Sequence, residues 1–338
     1  SSASNQGDDT MKNLFAVITI LSLVISPAVP VFAAEIATTG NQSSDFGGTG
    51  IWVQGLAGQA NQRENKDYKA FQDNLMDYTI GFDRIMSPHV RLGGSFGYGY
   101  SNKNYKQNRT GFGSYGVNDH AFTTVLTATY DSIDLCESRE KGKYSPEAVR
   151  NQGIDGWYVD SALGFTQHNY DLRTERFDFS PVMEVGKSDY HGQEYTVGME
   201  AGYIFNFGEE NLTHVTPYTS LDYGYLYRNL SKVKGFGVND YKVKGEGATD
   251  LEQGFGVQLA RSVVSEKLGT FIPYVKGEWL VAYIRDIQSQ NRQRNSAAFG
   301  AGVIFLNKGH MTCSAGWDML LQNRNLENVG YGKIRYDF

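Results

Sequence analysis

The sequence has little of what several common protein classes need. Two cysteines among 338 residues cannot form a disulfide-rich scaffold, and seven prolines are too few for a collagen-like fibre. A formal net charge of −6 offers no cationic surface to phosphate groups, so nucleic acid is not an expected partner. Only one apolar run is long enough to suggest a membrane helix, which excludes a helical transporter. We find no metal-binding or nucleotide-binding motif, so no cofactor is expected.

The chain is instead rich in glycine and aromatic residues. It contains 39 glycines, 22 tyrosines and 19 phenylalanines, and aromatic residues make up 13% of the total. Side chains of this size bury more apolar surface than a disordered chain carries. The composition therefore predicts a folded protein of one large domain or two small ones.

The single apolar run has the layout of a secretory signal peptide. Met11 and Lys12 precede an apolar stretch over Leu14–Ile25, which prolines then interrupt before a group of small residues. This pattern predicts cleavage after Ala33 or Ala34. A membrane anchor is the alternative, but an apolar stretch of about 12 residues is short for a membrane span.

These signals divide the chain into four segments. Residues 1–10 precede the apparent start methionine and are interpreted as an upstream extension or a cloning remnant, and residues 11–33 as the signal peptide. Residues 34–50 are rich in Gly, Ser and Thr and predict a short flexible lead-in. Residues 51–338 form the folded domain.

From residue 51 onward the hydrophobic pattern has the period of two that is typical of β-strands. In 195–207 the odd positions are apolar or aromatic, whereas the even positions are mainly small or polar. A soluble sandwich would carry long charged side chains on its polar face. Here that face holds Gly, Ala, Ser and Thr with isolated charges, and the apolar face ends in Tyr, Phe and Trp, which suit the lipid headgroup belts. With the export signal, the pattern predicts an all-β fold: a transmembrane antiparallel β-barrel in the outer membrane.

Twelve such segments predict an up-and-down meander of twelve strands. They span 51–62, 75–86, 89–101, 119–132, 156–170, 193–207, 214–229, 244–262, 270–285, 296–306, 310–321 and 328–338. Short links alternate with long polar links at 102–118, 171–192 and 229–243, which we assign to the cell exterior. An even number of strands then leaves both chain ends in the periplasm.

One link does not fit this alternation. Residues 133–155 form a long charged link where the topology predicts a periplasmic turn. Ser145-Pro146-Glu147 fits the start of a small periplasmic helix, because serine caps helices and proline is tolerated in the first turn. The alternative is that the strand count slips by one hairpin at this point.

Several motifs resemble the translocator β-domain of autotransporters. They are, in chain order, GIWVQGLAG (50–58), GFDRIM (81–86), HVRLGGSFGYGYS (89–101), GWYVDSALGFTQHNYD (156–171), THVTPYTSLDYGYL (213–226), FIPYVKGEWL (271–280) and GYGKIRYDF (330–338). The resemblance implies a monomeric twelve-stranded barrel in the outer membrane of a Gram-negative bacterium. It also implies export of an N-terminal passenger and assembly by the Bam machinery.

The two ends of the chain carry further expectations from this resemblance. Ile334, Tyr336 and Phe338 lie on one face of the last strand and fit the C-terminal signal that is read during assembly, although a last strand that merely ends in an aromatic residue is the alternative. Only Ala34–Gly50 separates the predicted cleavage point from the first strand, so no passenger is expected. We expect either a stand-alone barrel that has lost its passenger or a shortened chain.

In this register the inner face of the barrel carries charged residues of both signs. They include Asp160, His168, Glu200, Asp222, Glu252, Lys276, Glu278, Asp318, Lys333 and Arg335. An ionised side chain in a narrow lumen must be hydrated or paired, so mixed signs favour a structural cross-lumen network that also holds a threading segment. A role in transport selectivity is the alternative.

Three other functions compete with translocation. A stand-alone porin and a surface adhesin would show the same strand pattern. An outer-membrane hydrolase would need a catalytic group near the outer rim, where we place His168, Asp189 and His191. No serine lies in a nucleophile context, so we expect no enzymatic activity.

Overall fold

The computed structural model describes most of the predicted domain. The described residues are 49–63, 70–105, 112–133, 155–177, 183–208, 213–236, 240–265, 268–285, 295–307, 311–322 and 325–337. The signal peptide with both predicted cleavage residues, Ala33 and Ala34, lies outside them, as do residues 1–10 and nearly all of the lead-in.

The described residues form fifteen strands. These are β1 (Thr49–Gln62), β2 (Phe71–Ser87), β3 (Val90–Tyr105), β4 (Phe112–Asp131), β5 (Gly156–Phe177), β6 (Met183–Phe207), β7 (Thr213–Arg228), β8 (Ser231–Val233), β9 (Tyr241–Val243), β10 (Glu246–Arg261), β11 (Val263–Ser265), β12 (Gly269–Arg285), β13 (Asn295–Asn307), β14 (Met311–Gln322) and β15 (Asn325–Asp337). No helix in this part of the chain is long and apolar enough to cross a membrane.

Twelve of these strands close into an antiparallel barrel. The sheet runs in chain order from β1 to β7, β10 and β12 to β15, and it closes because β1 also pairs with β15. Strand β11 adds a short pairing beside β12, while β8 and β9 form a separate hairpin. The predicted fold, a twelve-stranded up-and-down barrel, is therefore confirmed.

Both ends of the barrel wall lie at one rim. Gly50 at the start of β1 pairs with Asp337 at the end of β15, so the described chain begins and finishes at the periplasmic rim. The long link after β4 starts at this same rim, and among the described residues β4 pairs directly with β5, so the wall keeps its count of twelve strands. The possible helix start Ser145-Pro146-Glu147 lies outside the described residues.

The strands on one side of the barrel are longer than the sequence pattern predicted. Strands β5 and β6 extend through most of 171–192, which we assigned to an exterior loop, and β4 begins at Phe112 instead of residue 119. The assignment of 102–118 and 171–192 as loops was thus wrong in most of its length. The physical reason is that these extensions leave the hydrocarbon, so their outer faces no longer need apolar side chains although the strand pairing continues.

Large apolar side chains cover the outside of the barrel. Leu126, Phe82 and Trp157 are 60%, 59% and 47% exposed, values that a soluble protein would avoid for so many residues. Near the periplasmic rim the rings of Tyr130 and Trp157 stack with centroids 4.9 Å apart. Toward the exterior, a second band of rings, here called the outer girdle, consists of Tyr78, Tyr98, Phe122, Phe165 and Tyr195. This outside surface suits hydrocarbon bounded by two headgroup layers.

The glycines of the inner face make room for aromatic rings. Gly256 pairs with Tyr218 on the neighbouring strand, and a Cβ atom at Gly256 would lie 2.2 Å from the Tyr218 ring. Gly202 stands in the same relation to Tyr158, with a separation of 2.6 Å. The small residues of the alternating pattern are therefore required where a ring lies flat across the next strand.

Candidate functional site

All ten titratable residues that we assigned to the lumen lie on its inner face. Asp160, His168, Glu200, Glu252, Lys333 and Arg335 are buried, and Asp222, Lys276, Glu278 and Asp318 are half-buried. Their positions follow from parity, because each shares odd or even numbering with the inward-facing residues of its strand.

At the periplasmic rim an ion pair joins two strands across the closing seam. Both Arg335 guanidinium Nη atoms donate to the Asp83 carboxylate, and the Nη2–Oδ1 distance is 2.9 Å. Arg335 is on β15 and Asp83 on β2, so the pair reaches across β1, the strand that closes the barrel. The Lys333 ammonium lies 4.5 Å from the centre of the Trp52 ring on β1. This seam is thereby held from inside by charge as well as by backbone hydrogen bonds.

The middle of the lumen carries an arc of carboxylates. The arc comprises Asp160, Glu200, Asp222, Glu252, Glu278 and Asp318, on six different strands from β5 to β14. Tyr158 donates to Glu200 at 2.7 Å, and Ser220 donates to Glu278 at 2.8 Å. Lys276 lies 3.1 Å from Asp318 and supplies a positive charge within the arc. The predicted mixture of signs is present, since Lys276 lies within the arc and Lys333 and Arg335 lie outside it on β15.

Farther out, His168 lies between two carboxylates. Its Nδ1 is 2.8 Å from Asp119 Oδ2, its Nε2 is 3.0 Å from Glu194 Oε2, and the imidazole is fully buried. The ring stacks on Tyr170 with centroids 5.4 Å apart, and Tyr170 stacks in turn on Tyr190. Because each ring nitrogen faces a carboxyl oxygen, the two carboxyl groups hold the imidazole ring in a fixed orientation.

The described part of the β8–β9 hairpin packs against the inner wall at the extracellular mouth. Val233 is 0% exposed and Phe236 is 4% exposed. We call these two side chains the mouth cap. They join one apolar cluster with inward-facing wall residues: Ala60, Phe71, Tyr105, Val117, Tyr170, Leu172 and Tyr190. The cluster spans the wall from β1 to β6, so this side of the mouth is closed by packed apolar side chains.

Polar contacts fix the position of the hairpin. Lys187 on β6 and Lys234 exchange two backbone hydrogen bonds of 2.8 and 2.9 Å. The Asp240 carboxylate accepts the backbone N–H groups of Gly235 and Phe236, both at 3.0 Å. Gly235 has a φ of 116°, which an L-residue rarely adopts. Backbone hydrogen bonds therefore hold the hairpin in place, in addition to the packing of its apolar side chains.

The three residues that we considered for hydrolysis do not meet. His168 faces the lumen, whereas Asp189 and His191 occupy the opposite, outward face of β6. His191 Nδ1 instead lies 2.8 Å from Asn169 Oδ1. Among the described residues, no group of three or more His, Cys, Asp and Glu side chains is placed to hold a metal ion.

Our sequence reasoning missed several residues of the lumen. Asp83, Asp119 and Glu194 pair with predicted residues, but they were not identified. Parity would have found them, because Asp119 is in phase with inward-facing Val117 and Glu194 is in phase with Glu200. The mouth cap had no comparable signal, since 229–243 has no sustained alternation.

Comparisons with known proteins agree with this architecture. The family model described as autotransporter β-domain matches residues 51–324. Outer membrane protein A of Rickettsia rickettsii is 20% identical over 308 residues, which cover 86% of this chain but only 12% of that protein. The chain thus spans a small part of this curated relative.

Solved translocator domains share the fold. The translocator domain of the autotransporter NalP from Neisseria meningitidis matches with a TM-score of 0.67 and 11% identity, over 90% of this chain and 94% of that one. The transport unit of AIDA-I from Escherichia coli matches with a TM-score of 0.64 and 12% identity, over 85% and 90%. With the family match, this places the protein in the outer membrane of a Gram-negative bacterium as a translocator barrel. The chain belongs to the autotransporter β-domain family.

Proposed function

We propose that this barrel delivers the polypeptide that precedes β1 to the cell surface through its own lumen. One observation carries the proposal: β1 begins at the periplasmic rim, where Gly50 pairs with Asp337 of the last strand. A segment upstream of β1 can therefore reach the exterior only by passing the full length of the lumen. The polar inner wall supports this route, because charged and hydroxyl side chains can solvate a passing backbone.

The composition of the lead-in fits such a path. Residues 34–50 are mostly small and polar, with Glu35 and Asp45 as the only charges. A slender chain of this kind is compatible with a lumen that large side chains partly fill.

Surface exposure of an epitope inserted before Ser44 tests the proposal. We expect the epitope to be reached by antibody and by added protease in intact cells. The control carries the same epitope after Pro88, in the short turn between β2 and β3, and should stay protected until the outer membrane is permeabilised. An epitope at Ser44 that remains protected while the barrel is folded in the membrane would contradict surface export.

We also propose that the barrel is a monomer assembled by the Bam machinery. The side chains of Ile334 and Tyr336 on the last strand are 59% and 51% exposed toward the outside, where an assembly factor can contact them, and Phe338 lies outside the described residues. The variant Ile334→Ser/Tyr336→Ser should fail to assemble in cells, and it serves as the unassembled control in the epitope experiment. That variant should lose folded barrel in cells while it still refolds in detergent.

The competing functions have less support. A permanently open porin is disfavoured by the mouth cap, which is packed against the wall. We propose that the barrel carries no catalytic centre, because His168 is enclosed by two carboxylates and Asp189 and His191 point away from it. Turnover of a lipid or peptide ester by the purified barrel that is lost in His168→Gln would overturn this.

A further inference from the structure

A connected group of carboxamides lies on the outer face of the barrel beyond the outer girdle. It consists of Gln59, Asn61, Asn74, Asn102, Asn104 and Asn118, on β1 to β4, and is here called the amide patch. All six side chains are exposed or half-buried. The group contains no charged residue, although the exterior part of a barrel is free to carry charges.

The strand register turns these residues into a continuous row. Gln59 pairs with Asn74, Asn74 with Asn102, and Asn102 with Asn118, so one amide from each of four neighbouring strands stands side by side. Asn61 and Asn104 lie two residues farther along β1 and β3. An unbroken row over four strands is a surface of defined shape.

Hydrogen bonds orient the amides. Gln59 Nε2 donates to Asn74 Oδ1 at 3.1 Å, and Asn61 Nδ2 donates to Gln59 Oε1 at 3.1 Å. On the neighbouring strands Asn102 Nδ2 donates to Asn118 Oδ1 at 2.5 Å, and Asn104 donates to Asn102. A carboxamide has two donor hydrogens and two acceptor lone pairs, so each can make these bonds and still bind a ligand.

The patch is continuous with the lipid-facing surface. Its row lies four residues beyond the row of Tyr78, Tyr98 and Phe122 in the outer girdle, along the same strands. Tyr100 stands between the two rows and donates from its hydroxyl to Asn118 Oδ1 at 3.3 Å. The amide patch therefore begins where the hydrocarbon layer ends on the exterior side.

The chemistry of this surface is that of carbohydrate recognition. Carboxamides match sugar hydroxyls, which are both donors and acceptors, whereas phosphate groups would call for Lys or Arg. Tyr100, which lies next to the row, offers an apolar ring face to the C–H face of a sugar ring. In a Gram-negative outer membrane, the layer outside the hydrocarbon of the outer leaflet consists of lipopolysaccharide sugars.

We propose that the amide patch binds the core oligosaccharide of lipopolysaccharide. The acyl chains of the same molecule lie against the apolar outer surface below the outer girdle, while the core sugars lie across the row of amides. The barrel thereby holds ordered lipopolysaccharide against the β1–β4 side, which stabilises the folded wall by linkage.

Thermal unfolding of the purified barrel in phosphatidylcholine nanodiscs tests this proposal. The probes are lipopolysaccharide with a complete core and lipid A without core sugars, added at equal concentrations. We expect the complete molecule to raise the unfolding midpoint by several degrees more than lipid A does. In Asn102→Ala/Asn118→Ala this core-dependent difference should disappear.

Two further variants make the result specific. Gln253→Ala removes an outward-facing amide on β10, outside the patch, and should keep the full core-dependent shift. Gln59→Ala removes one end of the row and should lose part of the shift even if the double variant does not refold. Equal stabilisation of the unmodified barrel by lipid A and by the complete molecule would overturn the proposal, as would a core-dependent shift that survives in both patch variants.

Discussion

Val233→Ser/Phe236→Asp is expected to convert a closed barrel into one that conducts ions steadily in planar bilayers. The two side chains of the mouth cap are almost fully buried among apolar wall residues. Burying a side chain of this size contributes about 1.5–3 kcal/mol, and an unpaired carboxylate in the same place is strongly unfavourable. The hairpin should therefore leave the mouth and hydrate the exterior end of the lumen.

A change on the exposed side of the same hairpin serves as the control. Lys232→Ser alters a residue that faces solvent and should leave the conductance at the level of the unmodified barrel. Variants are compared only after each shows the mobility shift on heating that marks a folded barrel. Folded Val233→Ser/Phe236→Asp barrels with unchanged conductance would show that the mouth cap does not close the lumen. Deletion of residues 231–243, with a short glycine link, provides an independent version of the same test.

Arg335→Met should produce the largest loss of stability among single changes in the lumen. Arg335 is 1% exposed and makes two hydrogen bonds to Asp83, so methionine would leave a buried carboxylate without this partner. Removing one partner of a buried pair typically costs about 3–5 kcal/mol. The loss is measured as a lower urea midpoint for unfolding of the refolded barrel.

Two comparisons separate loss of the ion pair from loss of a long side chain. Arg335→Met/Asp83→Leu removes both charges and should recover much of the lost free energy, because no unpaired charge remains. Arg173→Met removes an arginine that is paired with Glu175 at 3.7 Å but whose side chain is 63% exposed, and it should change stability by about 0–1 kcal/mol. Similar losses in Arg335→Met and Arg173→Met would contradict a specific role for the seam.

Together these expectations describe a barrel with two differently built ends. The periplasmic rim is held by charge across the closing strands, with Arg335 and Asp83 on either side of β1. The exterior rim is taller on one side, and Val233 and Phe236 of a hairpin pack there against apolar wall residues. The ion pair at the seam stabilises the closed wall. The mouth cap is only two side chains, so displacing it from the wall should cost little free energy compared with opening the wall.

The hydrophobic period made the wall predictable. In β6, the alternation over 195–207 assigned Glu200 to the inside and Tyr195 to the outside, and the structure places both there. The same pattern could not locate the exterior end of β6, which begins at Met183, because both faces are polar or mixed beyond the membrane. The alternating pattern marks the part of a strand that contacts lipid. It stops at the membrane boundary, although the strand itself continues beyond it.

The candidate site was predictable only in part. Parity alone places His168 on the inner face, but its partners Asp119 and Glu194 come from other strands, 49 and 26 positions away in the sequence. Such neighbours depend on strand pairing and register, which are cooperative properties of the closed sheet. Asp189 and His191, which the sequence analysis placed near the same rim as His168, lie on the outward face of β6, because strand parity, and not position along the barrel, decides which side chains can meet.

The sequence by itself predicted the fold class, the number of strands in the wall and the inward orientation of the charged residues that we assigned to the lumen. These follow from a period of two and from alternating link lengths, which are local properties that each segment carries alone. Tertiary structure decided that Arg335 meets Asp83, 252 positions away, and that Val233 and Phe236 pack against the inner wall at the mouth. Both contacts depend on the stagger between strands and on the pairing of the first strand with the last, so they form only in the closed barrel.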